Sequence, residues 1–258
     1  MASFLERILT RSISNAGPGE KEMSFLDHLE ELRWQVVKAV SAYFIAVAAC
    51  SYFAEFIVQD LLMKPLRDVG LKAQVLSPYG IVLLYMEAVL ICALIVGMPA
   101  ILFFLWKFIA PGLLPKERRY ISRIVFFTSF CFFAGVTFAY YVLIPTALHF
   151  FSSFGTANIQ LNVSIDHYIS FILTMLLGSG LVFELPMASY FLTKLGFLTP
   201  PFMRHYRRHA IVAILIIAAV VTPTPDMVTQ VLMAAPMFIL YEASIWVCIL
   251  SMKKEEAT

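Results

Sequence analysis

The sequence predicts an all-α, polytopic membrane protein with six transmembrane helices, the last two short. Three observations carry that prediction. Of the 258 residues, 60% are hydrophobic and only 14% are charged, where soluble domains carry about 25% charged residues. The charges gather in clusters between long apolar runs, and mean hydropathy is +0.83. The runs are continuous rather than alternating, which excludes a β-barrel and leaves helices as the structure that satisfies its own backbone in lipid. No stretch is long or polar enough for a separate soluble domain. The chain therefore divides into an N-terminal tail over 1–23, a six-helix domain over 24–252 and a C-terminal tail over 253–258. No cleavable signal peptide is expected, because the first apolar run follows a polar segment and lacks a small-residue exit.

The N-terminal tail contains Gly17-Pro18-Gly19, and Phe4, Leu5, Ile8 and Leu9 can form one face of a short surface helix. Ser24 with Asp27 is a helix-start signal. Phe25, Leu26, Leu29 and Leu32 then share one face at helical spacing, while Asp27, Glu30 and Glu31 project elsewhere, as in an amphipathic helix at the membrane surface. Span one follows over about 34–53. Residues 54–80 read as a loop, with Lys64-Pro65-Leu66 and Ser77-Pro78 as breakers. Span two covers about 81–106 and is broken by Pro99. Phe108 to Tyr120 returns the chain, since two prolines and a glycine stop a helix there. Span three covers about 121–143, and the stretch 144–166, without Lys or Arg, reads as a second loop.

Span four covers about 168–193. Thr199 then caps a helix with Pro200 in its first turn, carrying Arg204, Arg207 and Arg208. Span five has only 210–221, roughly 18 Å of helix against a hydrocarbon core of about 30 Å. Thr224 caps span six, with Pro225 in its first turn and Asp226 facing the positive helix end. Pro236 and Glu242 interrupt span six and leave its clean apolar part short. Orientation follows from charge. Of 19 Lys and Arg residues, only Lys64, Arg67 and Lys72 fall on one side of this layout. The positive-inside rule then puts both termini in the cytoplasm.

Several polar residues stand out. Glu117 sits among Lys107, Lys116, Arg118, Arg119 and Arg123 in the loop after span two. It either pairs with those neighbours or recognises a cationic partner. Glu184 lies inside span four, where a carboxylate costs roughly 2.5–3.5 kcal/mol. It either pins two helices through a hydrogen bond or serves as a docking or proton-carrying site, and intramembrane acids usually mark pathways. Glu242 is a second intramembrane polar contact or a structural one. Asp226 and Gln230 lie one turn apart on span six, where capping accounts for Asp226 and only in part for Gln230. Glu87, near the end of span two, reads as snorkelling to water. The four cysteines, Cys50, Cys92, Cys131 and Cys248, sit in apolar runs without metal spacing and read as small buried hydrophobes. No phosphate loop, zinc-protease or serine-hydrolase motif occurs, so no enzyme activity, cofactor, metal or nucleic-acid partner is expected.

The residues in order resemble a known family. His28-Leu29-Glu30-Glu31-Leu32-Arg33 resembles the H-L-x-E-L-R motif of TatC, the multispanning subunit of the twin-arginine protein translocase. Phe108-Ile109-Ala110-Pro111-Gly112-Leu113 with Glu117-Arg118-Arg119 is similar to that family's first cytoplasmic loop. Phe138-Ala139-Tyr140, Phe183-Glu184-Leu185-Pro186, Thr222 to Asp226 with Gln230, and Ala235-Pro236-Met237 follow in the same order. The resemblance covers nearly all of 24–251. It implies a plasma (inner) membrane receptor for twin-arginine signal peptides of folded proteins. That receptor assembles with TatA and TatB in an oligomeric complex embedded in membrane lipid, and transport is driven by the proton gradient. It implies a signal-peptide site at Glu31, Arg33, Phe108 and Glu117, with Arg118 and Arg119 beside them, and a TatA or TatB contact at Glu184. Some members carry a second basic residue where this chain has Gln35. Two other classes remain as alternatives: a proton-coupled small-solute transporter using Glu184, and a purely structural scaffold. The first predicts repeat-related broken helices, which the sequence lacks. The second leaves the acids in basic cytoplasmic segments unexplained.

Overall fold

The computed structural model describes residues 25–109, 121–153, 162–194, 196–222 and 226–256. The first helix, α1 (Phe25–Tyr52), is a single 28-residue element. The amphipathic segment expected at the membrane surface and span one are thus one helix, without a break between them. Ser24 and the N-terminal tail lie outside the described residues.

The stretch 54–80, expected as a loop, is largely helical. It contains α2 (Ala54–Phe56), a π-helical turn (Ile57–Leu62), α3 (Lys64–Asp68) and β1 (Lys72–Gln74). Pro65 does not break α3 but begins it, where a missing N–H costs nothing. Its missing N–H still leaves the carbonyl of Leu61 without a helical donor. Tyr140 Oη donates to that carbonyl at 3.0 Å. The buried Tyr168 hydroxyl does the same for Leu62 O at 2.8 Å and accepts the Leu66 N–H at 3.1 Å. Two tyrosines from distant helices thereby satisfy the backbone of this cap.

The second long helix, α4 (Gly80–Ile109), runs 30 residues straight through Pro99, so span two is bent at most and is not broken. Next come α5 (Ile121–Phe138), a π-helical turn (Ala139–Leu143) and α6 (Ile144–Ser152), which together form one apolar stretch over Ile124–Ser152. Span three is therefore longer than expected, and 144–152 belongs to it rather than to a loop. After β2 (Asn162–Ser164), α7 (Ile165–Val182) and α8 (Leu185–Lys194) form span four, with a turn at Phe183 and Glu184. Pro186, which has no N–H for the carbonyl four residues back, explains why the ladder fails there.

A short helix, α9 (Pro200–His205), begins after Thr199, which makes no side-chain capping bond. Arg204 lies on it, but Arg207 and Arg208 open the next helix, α10 (Arg207–Val221). At 15 residues, α10 spans about 22 Å, so span five is short as expected. Span six is not. The last helix, α11 (Met227–Glu256), is 30 residues long and continuous through Pro236 and Glu242. Its apolar part, Met227–Ile249, is 23 residues. It carries helix into the stretch expected as a C-terminal tail.

Among the described residues, five helical stretches are long and apolar enough to cross a membrane, and α10 is the shorter sixth. Span four is the most enclosed of them and α1 the least. Tyr168, Ile169, Ile172, Leu173 and Met175 of α7 are almost wholly buried, as are Phe132 of α5 and Met233 and Met237 of α11. Small residues permit the closest approaches. Ser179 Oγ donates to Gly135 O at 2.9 Å. A Cβ on Gly180 would sit 2.6 Å from the Phe132 ring, and one on Gly135 would sit 2.6 Å from Ser179 O. At one end, β1 and β2 pair in parallel, Ala73 opposite Val163, beside the tyrosine-held segment. At the other end lie the start of α1 and the close of α4, α8 and α11. There Trp106 meets Phe191 edge-on at 5.2 Å and Thr193 Oγ1 donates to Cys248 Sγ at 2.8 Å. The cysteines are free, three of them buried and Cys131 half-buried.

Candidate functional site

The terminal end gathers most of the residues that the sequence singles out. α1 packs more extensively against α4 than against any other element. The register is fixed at Gly97, where a Cβ would sit 3.5 Å from Ala46 Cβ. Gln59 Nε2 donating to Tyr85 Oη at 3.4 Å fixes it again, further toward the cap. Continuing both antiparallel helices toward the terminal end by about 16 Å sets Gln35 level with Phe108. Arg33 lies about half a turn beyond and Glu31 about one turn. Phe108 is half-buried and still helical, at the close of α4.

Arg33 is exposed, 3.7 Å from Glu30 in an (i, i+3) pair, and its guanidinium lies 5.6 Å from the Trp34 ring centre. Its neighbour in space is thus Glu30 rather than Glu31. Such an exposed pair contributes about 0–1 kcal/mol, so Arg33 and Glu30 are each free to exchange the other for a better partner. Glu31 is half-buried. Gln35, one turn on, is 5% exposed and its Oε1 meets no donor among the described residues. Sequence reasoning passed over its burial, because nothing local marks which face of α1 meets α4. Glu117, Arg118 and Arg119 lie outside the described residues.

Glu184 occupies the turn between α7 and α8. Its Oε1 is buried and has no hydrogen-bond partner among the described residues. The backbone around it is fully used: its N–H donates to Leu181 O at 3.1 Å and its carbonyl accepts Ala188 N–H at 2.9 Å. The Phe183 ring packs on Phe138 at 5.6 Å, and Gly135 backs onto Phe183 Cβ. The side chain therefore pins no helix through a hydrogen bond of its own.

The polar residues of span six have structural partners. Asp226 Oδ1 accepts the Thr229 N–H at 2.7 Å, so Asp226 is itself the cap of α11. Thr224 and Pro225 lie outside the described residues. Gln230 Nε2 donates to Leu215 O at 3.0 Å and ties α11 to α10. Glu242 receives the Arg207 guanidinium at 2.6 Å. The partner was findable from sequence, because Arg207 and Glu242 lie nearly equally far from the turn at 222–226 and so come level in a helical hairpin. These three residues do not converge with Glu184 on one hydrogen-bonded cluster. Among the described residues no group of three His, Cys, Asp or Glu side chains is placed to hold a metal. The arrangement presents charge and rings suited to recognition.

Comparison with known proteins adds the following. The family model of Sec-independent protein translocase protein (TatC) matches residues 27–236. A TatC of Carboxydothermus hydrogenoformans is 35% identical over 88% of this chain and 93% of its own length. The chloroplastic TATC of Pisum sativum is 36% identical over 89% of this chain, which spans 65% of that longer protein. A crystal structure of the twin-arginine translocase receptor TatC superposes with a TM-score of 0.78 at 33% identity, covering 87% of this chain and 99% of that one.

Proposed function

Since the chain belongs to the TatC family of Sec-independent protein translocase proteins, we propose that it is the receptor subunit of a twin-arginine translocase. It is a multi-pass membrane protein. In this reading it binds the twin-arginine signal peptides of folded cargo, assembles with TatA and TatB, and catalyses no covalent step. Both termini face the cytoplasm. A small-solute transporter does not fit a chain matched to translocase receptors along most of its length.

The observation that carries the site is the α1–α4 register. It sets Gln35 level with Phe108 and brings Glu31 and Arg33 near the same end of one helix pair. Glu117 follows Phe108 by nine residues, close enough to return to that end. A carboxylate on each segment suits two guanidinium groups, whose forked donors bind carboxylates bidentately. The half-buried Phe108 offers a surface for the apolar part of the signal. A hydrogen bond to a charged group contributes about 1.5–3 kcal/mol when sheltered, and exposed pairs about 0–1 kcal/mol. This site falls between those limits.

The test is binding of Arg-Arg and Lys-Lys signal peptides to the purified protein in lipid. Glu31→Ala and Glu117→Ala should each narrow the preference for Arg-Arg, because an ammonium cannot present a planar fork. Truncating the apolar core of the signal should weaken binding by a separate, roughly additive route. Added salt should weaken the charge contribution more than the apolar one. If both variants keep the wild-type Arg-Arg to Lys-Lys ratio, these carboxylates do not read the pair.

A further inference from the structure

We propose that the elbow joining α9 to α10 binds the phosphate headgroup of an anionic phospholipid, with Arg204 and Arg208 as its ligands. The segment 204–209 reads Arg-His-Tyr-Arg-Arg-His, and every one of these residues is exposed. Two contacts hold the elbow from beneath. Tyr241 Oη donates to Met203 O at 2.7 Å, and Arg207 is engaged by Glu242 at 2.6 Å. Arg207 is thereby neutralised and the segment fixed. Arg204 and Arg208 have no anionic partner among the described residues. Exposed guanidinium forks on a held backbone, with no acid among the described residues to meet them, suit a phosphate group in charge and in donor pattern.

Two further features point to lipid as the source of that phosphate. The Tyr206 ring touches Phe202 at 4.6 Å, His205 at 5.1 Å and His209 at 5.4 Å, so the cations are interleaved with exposed rings. Aromatic rings beside cations are the composition of the membrane–water boundary. The helix that follows is only 15 residues long. At about 22 Å it falls short of a hydrocarbon core of about 30 Å, which draws its charged start to headgroup depth. A signal peptide bearing two arginines is repelled here, so this surface is separate from the one at α1 and α4 and does not depend on it.

The experiment uses the full chain in discs of phosphatidylcholine with and without phosphatidylglycerol, and reads the lipid retained after extraction by native mass spectrometry. Wild type should retain phosphatidylglycerol in preference to phosphatidylcholine. Arg204→Gln with Arg208→Gln should lower that retention about 25-fold, at about fivefold per arginine. Arg204→Lys with Arg208→Lys should fall between, because charge survives and the fork does not. Lys64→Gln with Lys72→Gln, at the other end of the molecule, should change nothing. If the double glutamine variant melts early, Arg208→Gln alone decides, with about a fivefold loss expected. Unchanged retention in the elbow variants overturns the proposal. So does equal loss in the Lys64 and Lys72 variant, which would make net charge the cause. Displacement of the lipid by excess inorganic phosphate would overturn lipid as the occupant. Displacement by a peptide of the acidic C-terminal residues would assign the surface to this chain's own tail.

Discussion

Glu184 is the residue whose chemistry is least settled by its surroundings. Its carboxyl group keeps a buried oxygen without a donor among the described residues, which costs about 1–3 kcal/mol. A side chain kept at that cost is explained by a partner outside this chain better than by helix pinning. Glu184→Ala should therefore leave the melting temperature in detergent unchanged or higher, and leave signal-peptide binding intact, while transport and TatA recruitment fall. A clear drop in melting temperature would restore the pinning role. Loss of signal binding in a stably folded variant would contradict both. Other polar residues were legible to different degrees. Glu242 was visible as an anomaly within span six, and the pairing with Arg207 needed only the level of each residue in the hairpin. At the start of α11, Asp226 was legible as a capping residue, and its Oδ1 accepts the Thr229 N–H. The burial of Gln35 was not legible, because it depends on the azimuth of α1 against α4, and α1 is weakly amphipathic throughout its apolar part.

At the scale of elements, the weakest inference was that a proline ends a span. Pro99 and Pro236 sit inside unbroken helices, whereas Pro186 follows a real break. The difference lies in tertiary packing. The chain at Phe183 and Glu184 leaves the helix one turn before Pro186, and the close approach of Gly135 to Phe183 fills the space beside it. Such contacts belong to packing between α5 and α7, more than 40 residues apart in sequence. The same interface yields a prediction. A Cβ on Gly180 meets the Phe132 ring at 2.6 Å, and Phe132 is wholly buried and cannot turn away. Gly180→Val should destabilise the protein by about 1–3 kcal/mol, read as a lower melting temperature in detergent. Wild-type melting of that variant would mean that α5 and α7 separate more easily than their packing indicates.

At the scale of the whole molecule, composition and charge segregation made the architecture readable, because lipid allows few ways to satisfy a backbone. The cap over 54–74 was not readable. Its supports, Tyr140 and Tyr168, come from 79 and 106 residues away, and no local pattern announces such bonds. Orientation rests on the uneven distribution of positive charge. In a background with Cys50, Cys92, Cys131 and Cys248 replaced, a cysteine at position 72 should react with an impermeant reagent added to intact cells. Cysteines at 117 and 254 should react only after the membrane is opened. Labelling of position 117 from outside would invert the molecule and remove the receptor site from the side where signal peptides arrive.

The two tyrosine hydroxyls that complete the backbone of the cap have a mechanical consequence. They fasten 61–66 to α5 and α7 through bonds that cannot stretch far without stranding a carbonyl. Spans three and four are therefore clasped to the cap at that end. At the opposite end, the Trp106 and Phe191 rings join α4 to α8, and Thr193 joins α8 to Cys248 of α11. We therefore expect the capped end to act as a pivot, as in a pair of tongs, with travel at the other end. Slow amide exchange at Leu66, beside fast exchange at the first turns of α1, would be the signature of that pivot.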